Sequence, residues 1–191
     1  MTTKRASTRL SREQWLDRAL EVLAAEGPGK LNIEHMAGAL GVSRGSFYWH
    51  FKDRADFIRS LLDYWHEIHT APVPALMAAS EKSGKAKLRY FLQMVHNERL
   101  TRFDMPLRIW AATDPTVADK VSRTDKFRMD YVRSLFEELG FEGSELDIRA
   151  RACVAYLTLE GHLFDPASEL DNDTNIDQLC DFLGGNSACC E

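Results

Sequence analysis

The stretch IEHMAGALGVSRGSFYWHF, residues 33–51, decides the fold of the N-terminal part of the chain. Apolar residues spaced for one helix face precede Gly41, and a second short helix is expected from Ser43 to His50. Gly41 can take the left-handed backbone that a tight turn needs, and Val42 can fill the space between the two helices. Two short helices joined in this way are typical of a helix-turn-helix.

The second of these helices divides into an inward and an outward face. Phe47 and Phe51 are four residues apart, so we expect both to face the protein core. The remaining side chains are then available to an outside partner, namely Arg44, Gly45, Ser46, Tyr48 and His50. A helix that enters a DNA groove needs this division.

Helix signals continue on both sides of this stretch, and no segment has the pattern of a strand. Ser11 and Gln14 form a capping box that starts helix one, Asn32 can cap helix two, and Asp53 can cap helix four. The Pro72 to Pro74 stretch should end helix four. Further helices are expected over Lys85–Thr101, Pro106–Ala112, Pro115–Leu139, Leu146–Phe164 and from Thr174 to Gly184, with a loop over Asp165–Asp173. We therefore predict an all-α fold of about nine helices.

Composition places the 191-residue chain among ordinary globular proteins, with 45% hydrophobic and 28% charged residues. No apolar run approaches the roughly 20 residues that span a bilayer, and the N-terminus resembles no signal peptide, so a cytoplasmic protein is expected. Four cysteines without CxxC spacing favour reduced thiols over a disulfide scaffold or a zinc site.

Charge is distributed unevenly along the chain. Residues 1–60 hold ten of the 24 basic and seven of the 29 acidic residues, a net charge of +3. The remaining residues hold 14 basic and 22 acidic residues, a net charge of −8. A basic N-terminal part on an acidic body is typical of a protein that binds DNA with one end.

The residues from Ala37 to Arg54 also resemble a known family. The run Ala37-x-x-Leu-Gly-Val-Ser-x-Gly-Ser-Phe-Tyr-x-His-Phe51, followed by Arg54, is similar to the TetR-family signature in residue types and spacing. The helix-one capping box and the chain length agree with it. The resemblance implies a three-helix helix-turn-helix DNA-binding domain over residues 1–56 and a larger helical ligand-binding and dimerisation domain over residues 57–191.

The resemblance also implies roles for individual residues. Positions matching Ser43, Tyr48 and His50 bind backbone phosphates, and those matching Arg44, Gly45 and Ser46 approach base edges. Hydroxyls and a histidine N–H are good phosphate donors, and arginine can contact guanine in a bidentate manner. Arg54 stands where the family usually has lysine, and either cation can bind phosphate. The candidate set is completed by Lys52 and by Trp49, which is ambiguous between core packing and DNA contact.

We expect the protein to form a homodimer through its C-terminal domain. Helix-turn-helix proteins usually pair across a twofold axis, so that their two DNA-binding domains contact successive half-sites. The resemblance maps a dimer bundle to residues 146–164 and 175–183. Its candidate contacts form a stripe of small and apolar residues, with packing inside one chain as the alternative: Ala150, Cys153, Val154, Leu157 and Gly161.

The resemblance places a small-molecule pocket between the head and this bundle. Candidate lining residues are apolar or aromatic, and each alone is more often a core residue: Trp65, Phe91, Met94, Val95, Trp110, Phe127, Tyr131 and Tyr156. His66, His69, His96 and His162 are candidate polar anchors or, less favoured, metal ligands. The expected function is a repressor that leaves a palindromic operator when an apolar ligand tilts helix four.

Other classes of function have weaker support. The chain contains no GxSxG, GxGxxG, HExxH or phosphate-binding loop, so neither an enzyme nor a cofactor is expected. A regulator that senses oxidants or electrophiles through Cys189 and Cys190 is one alternative, although acidic Glu191 does little to stabilise a thiolate. An activator is a second alternative. A protein-interaction module is a third, and steep salt dependence of binding would exclude it.

Overall fold

In the computed structural model the described residues are 10–163 and 172–185, and they contain helices but no strand. The all-α prediction is therefore confirmed, with ten α-helices in this part of the chain instead of about nine. Their bounds are α1 Arg12–Glu26, α2 Ile33–Leu40, α3 Arg44–Phe47, α4 Arg54–His69, α5 Val73–Ala79, α6 Gly84–Asn97, α7 Asp104–Ala111, α8 Pro115–Glu138, α9 Gly143–Leu163 and α10 Asn172–Gly184, with a 3-10 turn at Pro28–Lys30.

The chain separates into two compact units, Met1–Trp65 and His66–Glu191. The division lies inside α4, nine residues beyond the expected boundary after residue 56. Contacts within the first unit explain the shift, because the first part of α4 packs on α1. The hydroxyl of Tyr64 donates to Oδ1 of Asp17 at 2.6 Å, and Arg12 donates to Oγ of Ser60.

The predicted helix ends in the first unit are largely confirmed. Oγ of Ser11 accepts from the amide of Gln14 at 3.2 Å, and the Gln14 side chain accepts from the amide of Ser11 at 2.8 Å. Oδ1 of Asn32 accepts from the amide of His35 at 2.9 Å. Gly41 ends α2 with φ of 66°, the left-handed conformation that residues with a Cβ rarely adopt. These caps fix where the helix-turn-helix begins and turns.

Helix α3 is shorter than predicted. It ends at Phe47, and residues 48–50 form a turn in place of the expected helix through His50. The amides of His50 and Phe51 both donate to the carbonyl of Phe47, at 2.9 and 3.0 Å, which closes the last helical turn. Asp53 then caps α4 as predicted, because its Oδ1 accepts from the amide of Asp56 at 2.8 Å.

Aromatic rings form the core of the first unit. The ring of Phe47 lies 5.7 Å from Trp15, 5.2 Å from Phe51 and 5.5 Å from Phe57, measured between centroids. All four side chains are at most 1% exposed. Edge-to-face aromatic pairs of this kind add about 0.5–1.5 kcal/mol each beyond area burial, so α1 and α4 hold the turn after α3 in place.

The second unit is a helical body in which α8 packs on α7 and α9, and α10 packs on α6. Its apolar cluster includes Leu88, Phe136 and Cys153. The same unit contains a buried carboxylate: Asp104 on α7 is 1% exposed and accepts from both Nη atoms of Arg128 on α8. Burial raises the pKa of the Asp104 carboxyl, and Arg128 opposes that rise.

Several boundaries in this body differ from the prediction. Residues 73–79 form α5, although prolines 72 and 74 were expected only to end α4. Proline is compatible with the first turn of a helix, so these prolines begin a helix as well as ending one. Helix α10 begins at Asn172, and the rest of the expected loop, residues 165–171, lies outside the described residues. Within the described ranges, no helix combines the length and apolar character of a membrane span.

Candidate nucleic-acid interface

The surface of α3 and the turn after it is built on the aromatic core of the first unit. Phe47 and Phe51 face inward as predicted, with 0% and 1% exposure. On the opposite side Tyr48 is 61% exposed and Trp49 is 72% exposed. Aromatic side chains of this size are rarely left so open, which indicates that this face meets a partner.

The N-terminus of α3 is also accessible to solvent. Ser43 occupies the N-cap position, but its hydroxyl makes no capping hydrogen bond, in contrast to the prediction that it caps the helix. Gly45 is exposed, and a Cβ added there would meet only Oγ of Ser43 at an ordinary 3.7 Å. The packing of the chain itself therefore does not require glycine at this position.

Arg44 is held by a residue that the sequence analysis did not single out. Its Nη2 lies 2.7 Å from Oε1 of Glu34, on α2, and both side chains are largely exposed. The two residues are ten positions apart on different helices, so helical periodicity gave no signal for the pair. The ion pair uses Nη2, and the guanidinium of Arg44 has further N–H donors on Nε and Nη1.

The remaining candidates lie at the end of the turn and the start of α4. His50 is half-buried, and its Nε2 is buried without a hydrogen-bond partner among the described residues. Lys52 is exposed. Nε of Arg54 donates to the carbonyl of Leu31 at 3.1 Å, so this side chain ties α4 to the segment before α2. Arg54 thus has a structural contact that the sequence analysis did not predict.

A mainly apolar cavity lies in the second unit and measures about 480 Å³ including its opening to solvent. Four of the predicted lining residues surround it: Phe91, Val95, Phe127 and Tyr131. The other four predicted residues are not part of its wall, namely Trp65, Met94, Trp110 and Tyr156. Trp65 belongs to the first unit, and Trp110 is buried on α7. The wall also contains polar residues that the sequence did not predict, namely Thr70, Thr101, Arg128 and Thr158, together with His69, a candidate polar anchor.

Three of the five residues predicted for dimerisation lie in the core of their own chain. Ala150 and Cys153 are 0% exposed and Leu157 is 6% exposed, all within the core of the second unit. Val154 and Leu157 also line the cavity. The side-chain environment of Gly161 lies outside the described residues. Small and apolar residues at this spacing indicate close packing, and here α9 packs against helices of the same chain.

The opposite face of α9 is open and partly apolar. Ile148 is 67% exposed, and Ala155 is exposed two turns further along the same helix. On α10, Phe182 is 76% exposed. The two helices are connected here, because Nη1 of Arg149 donates to the carbonyls of Phe182 and Leu183 at 3.2 and 2.6 Å.

The histidines of the body are dispersed among separate contacts. Nδ1 of His66 lies 3.1 Å from Oγ1 of Thr124, the ring of His69 packs on Phe103, and Nδ1 of His96 lies 3.3 Å from Oε1 of Glu160. No group of three metal-ligating side chains occurs in the ranges that the structure describes.

The cysteines of the core are buried. Burial raises the pKa of the Cys153 thiol to about 12 and also raises that of Cys180, so both resist thiolate formation. Cys189 and Cys190, the candidates for a reactive pair, lie outside the described residues.

Comparisons with known proteins agree with this geometry. Residues 16–61 match the family model of bacterial regulatory proteins of the tetR family. The HTH-type transcriptional regulator TtgR of Pseudomonas putida is 31% identical over 88 residues, which are 46% of this chain and 42% of that protein. The chain thus spans less than half the length of this relative. The HTH-type transcriptional regulator SrpR of Pseudomonas putida is 25% identical over 173 residues, 87% of this chain and 79% of that protein.

A solved structure extends the fold comparison to the body. The crystal structure of AibR in complex with isovaleryl coenzyme A and operator DNA matches with a TM-score of 0.69 and 12% identity, over 90% of this chain and 96% of that chain. An identity this low supports the fold alone. The tetR-family model match over residues 16–61, together with the regulators related in sequence, identifies this N-terminal stretch as similar to the DNA-binding region of TetR-family regulators.

Proposed function

We propose that the protein is a sequence-specific DNA-binding transcriptional regulator. The observation that carries this proposal is the outward face of α3 and its following turn, where Tyr48 and Trp49 are largely exposed over a fully buried aromatic core. A helix that binds in a DNA groove needs a rigid core behind it and exposed polar and aromatic side chains in front. The excess of basic over acidic residues in the first 60 positions favours DNA as the partner.

Each side chain on this face has a role in the proposal. Ser43, Tyr48 and His50 bind phosphates, with Lys52 and Arg54 adding positive charge at the start of α4. Arg44 and Ser46 reach base edges, and Gly45 lets the backbone approach the groove. Trp49 adds contact area beside the phosphates. Phosphate contacts fix the position of the helix, whereas base contacts select the sequence.

We also propose that two copies act together on a palindromic operator. Because Ala150, Cys153 and Leu157 are buried within one chain, we assign the dimer face to the outward side of α9 and α10. Exposed Ile148, Ala155 and Phe182 supply its apolar part. Two helices from each copy would then form a four-helix contact across a twofold axis.

The cavity in the second unit supports ligand control. We infer that a small, largely apolar molecule binds there and releases the protein from its operator, which makes the protein a repressor. Two observations favour this: the wall is mostly apolar with few polar groups, and His69, the last residue of α4, belongs to it. Because α4 continues unbroken to Arg54, a shift of its last turn is transmitted along one helix. A coupling of about 1–3 kcal/mol would weaken operator binding roughly 5- to 150-fold.

Selection of bound sequences from random duplex DNA tests the proposal. We expect the protein to enrich a palindrome, and affinity for that site to fall steeply with salt concentration. Transcription in vitro from a promoter that carries the selected site should decrease when the protein is added, whereas an increase would indicate an activator. Absence of any enriched sequence would exclude a sequence-specific regulator.

Two variants separate base reading from phosphate binding in the same selection. Arg44→Ala should relax the preference at one position in each half-site, because a bidentate contact to guanine contributes about 1–3 kcal/mol of discrimination. Tyr48→Phe should weaken binding to all sequences alike and leave the selected sequence unchanged. An unchanged preference in Arg44→Ala would contradict the role assigned to this side chain.

A further inference from the structure

The polar groups around the cavity are mostly committed to one another. Oγ1 of Thr101 donates to the carbonyl of Leu157 at 2.8 Å, and Oγ1 of Thr70 accepts from Nε of Arg128 at 3.0 Å. Both Nη atoms of Arg128 bind the carboxylate of Asp104. A ligand that competes for any of these groups must break an existing hydrogen bond.

The charge balance of the wall disfavours an anionic ligand. Arg128 is the arginine of the wall, and the buried Asp104 already neutralises it. The Arg108 guanidinium nearby is paired in the same way with Asp125, at 2.6 and 2.8 Å. A carboxylate brought into the cavity would add a buried charge without a compensating partner, and such a charge is costly.

Tyr131 differs from these groups. It lines the cavity, its ring packs 5.9 Å from that of Phe91, and its hydroxyl is buried without a hydrogen-bond partner among the described residues. Leaving a buried hydroxyl without a partner is unfavourable, so a ligand that supplies an acceptor gains more here than at a group that already has a hydrogen bond. Burial also raises the pKa of Tyr131 to about 12, which keeps its proton in place at neutral pH.

We propose that the cavity selects uncharged, largely apolar molecules that carry one hydrogen-bond acceptor, and that the hydroxyl of Tyr131 donates to this acceptor. The proposal rests on the ligand-binding role given above and adds the chemical class of the ligand. Aromatic walls from Phe91 and Phe127 favour a flat apolar body. Aryl ketones and similar neutral carbonyl compounds have this combination of properties.

Three small probes of similar size test the acceptor and the charge separately. Acetophenone carries a neutral acceptor, ethylbenzene carries none, and benzoate carries a negative charge. Titration calorimetry with the full chain should give tighter binding for acetophenone than for either of the other probes. Equal or tighter binding of benzoate would overturn the preference for uncharged molecules.

The Tyr131→Phe variant tests the donor, and Tyr156→Phe is the matched control. The hydroxyl of Tyr156 lies 3.3 Å from Oε1 of Glu160, and the residue is not part of the wall. We expect Tyr131→Phe to weaken acetophenone binding about three- to tenfold, the range for one hydrogen bond, and to leave ethylbenzene within about twofold. Tyr156→Phe should change neither affinity.

The outcomes distinguish this inference from the proposed function. Equal acetophenone affinity in wild type and Tyr131→Phe would overturn the role of the hydroxyl while leaving the cavity as a ligand site. Failure of both neutral probes to bind wild-type protein would overturn the ligand site itself. Neither result would affect DNA binding, which the sequence selection tests independently.

Discussion

The ion pair between Arg44 and Glu34 places a negative charge on the surface proposed to meet DNA. Both side chains are largely exposed, so the pair contributes little to stability, about 0–1 kcal/mol. Its consequence is electrostatic. In the proposed complex with DNA, Glu34 would repel the phosphate backbone and occupy one N–H of Arg44 until a base edge replaces it. We infer that Glu34 lowers binding to DNA that offers Arg44 no matching base.

Replacing Glu34 by glutamine should therefore reduce discrimination between DNA sequences. We expect Glu34→Gln to bind non-operator duplex about three- to tenfold more tightly. The gain for the operator should be smaller, because the operator offers Arg44 a base edge that replaces Glu34. Fluorescence anisotropy with both duplexes at one salt concentration measures the ratio. Glu21→Gln, at an exposed carboxylate of α1, is the control. An unchanged ratio in Glu34→Gln would remove this residue from the interface.

The two kinds of residue on α3 differ in how far the sequence predicts them. Spacing alone places Phe47 and Phe51 in the core, because residues four apart share one helix face. Spacing cannot pair Arg44 with Glu34, since that contact depends on the angle between α2 and α3. It likewise cannot reveal that Arg54 binds the carbonyl of Leu31, a backbone group whose position is set by the 3-10 turn.

At the scale of the helices, start signals are the most predictable feature and lengths the least. Caps at Ser11, Asn32 and Asp53 depend on one side chain and a nearby amide, so local sequence is sufficient. The early end of α3 and the presence of α5 depend on packing with other helices. For the same reason, the spacing of small residues on α9 indicates close packing but cannot tell which helix packs against Ala150 and Cys153, which here lie in the core of their own chain.

The N-cap residues of α2 and α3, Asn32 and Ser43, allow an effect on folding stability to be distinguished from an effect on DNA binding. Asn32→Ala removes a real capping bond to the amide of His35 and should lower the free energy of unfolding by about 1 kcal/mol. Ser43→Ala removes a hydroxyl that makes no such bond, so its unfolding free energy should change much less. Ser43→Ala should instead weaken DNA binding about two- to tenfold, as expected for loss of one phosphate contact.

Urea denaturation and operator titration of both variants check this pair of expectations. Loss of stability in Ser43→Ala equal to that in Asn32→Ala would show that both residues act as ordinary caps. Unaltered operator affinity in Ser43→Ala would exclude its hydroxyl from the phosphate contacts.

At the scale of the whole molecule, the sequence predicts the distribution of charge along the chain better than the residues that line the cavity. The change from a basic to an acidic part of the chain follows from counting charges, and the structure divides into two compact units after Trp65. The cavity wall was only half predicted. Aromatic residues indicate an apolar site, but Arg128 and Thr70 become lining residues only when α8 and the segment after α4 come together.

The outward face of α9 and α10 gives the proposed dimer a direct test. Phe182 is 76% exposed, and exposed aromatic residues at the centre of an interface often contribute about 2 kcal/mol or more to binding. We therefore expect Phe182→Glu to raise the dimer dissociation constant about 30-fold or more. Its affinity for the full palindrome should fall towards that for a single half-site, because each head then binds alone.

Ile109→Glu is the control for this substitution, because Ile109 is similarly exposed, at 66%, but lies on α7. Sedimentation equilibrium over a range of concentrations measures the association, and titration with full and half operators measures its effect on DNA binding. If Phe182→Glu remains a dimer while Ile109→Glu dissociates, the interface lies on the α7 side of the body. If Phe182→Glu is monomeric yet binds the palindrome as wild type does, the two heads do not depend on this face for cooperation.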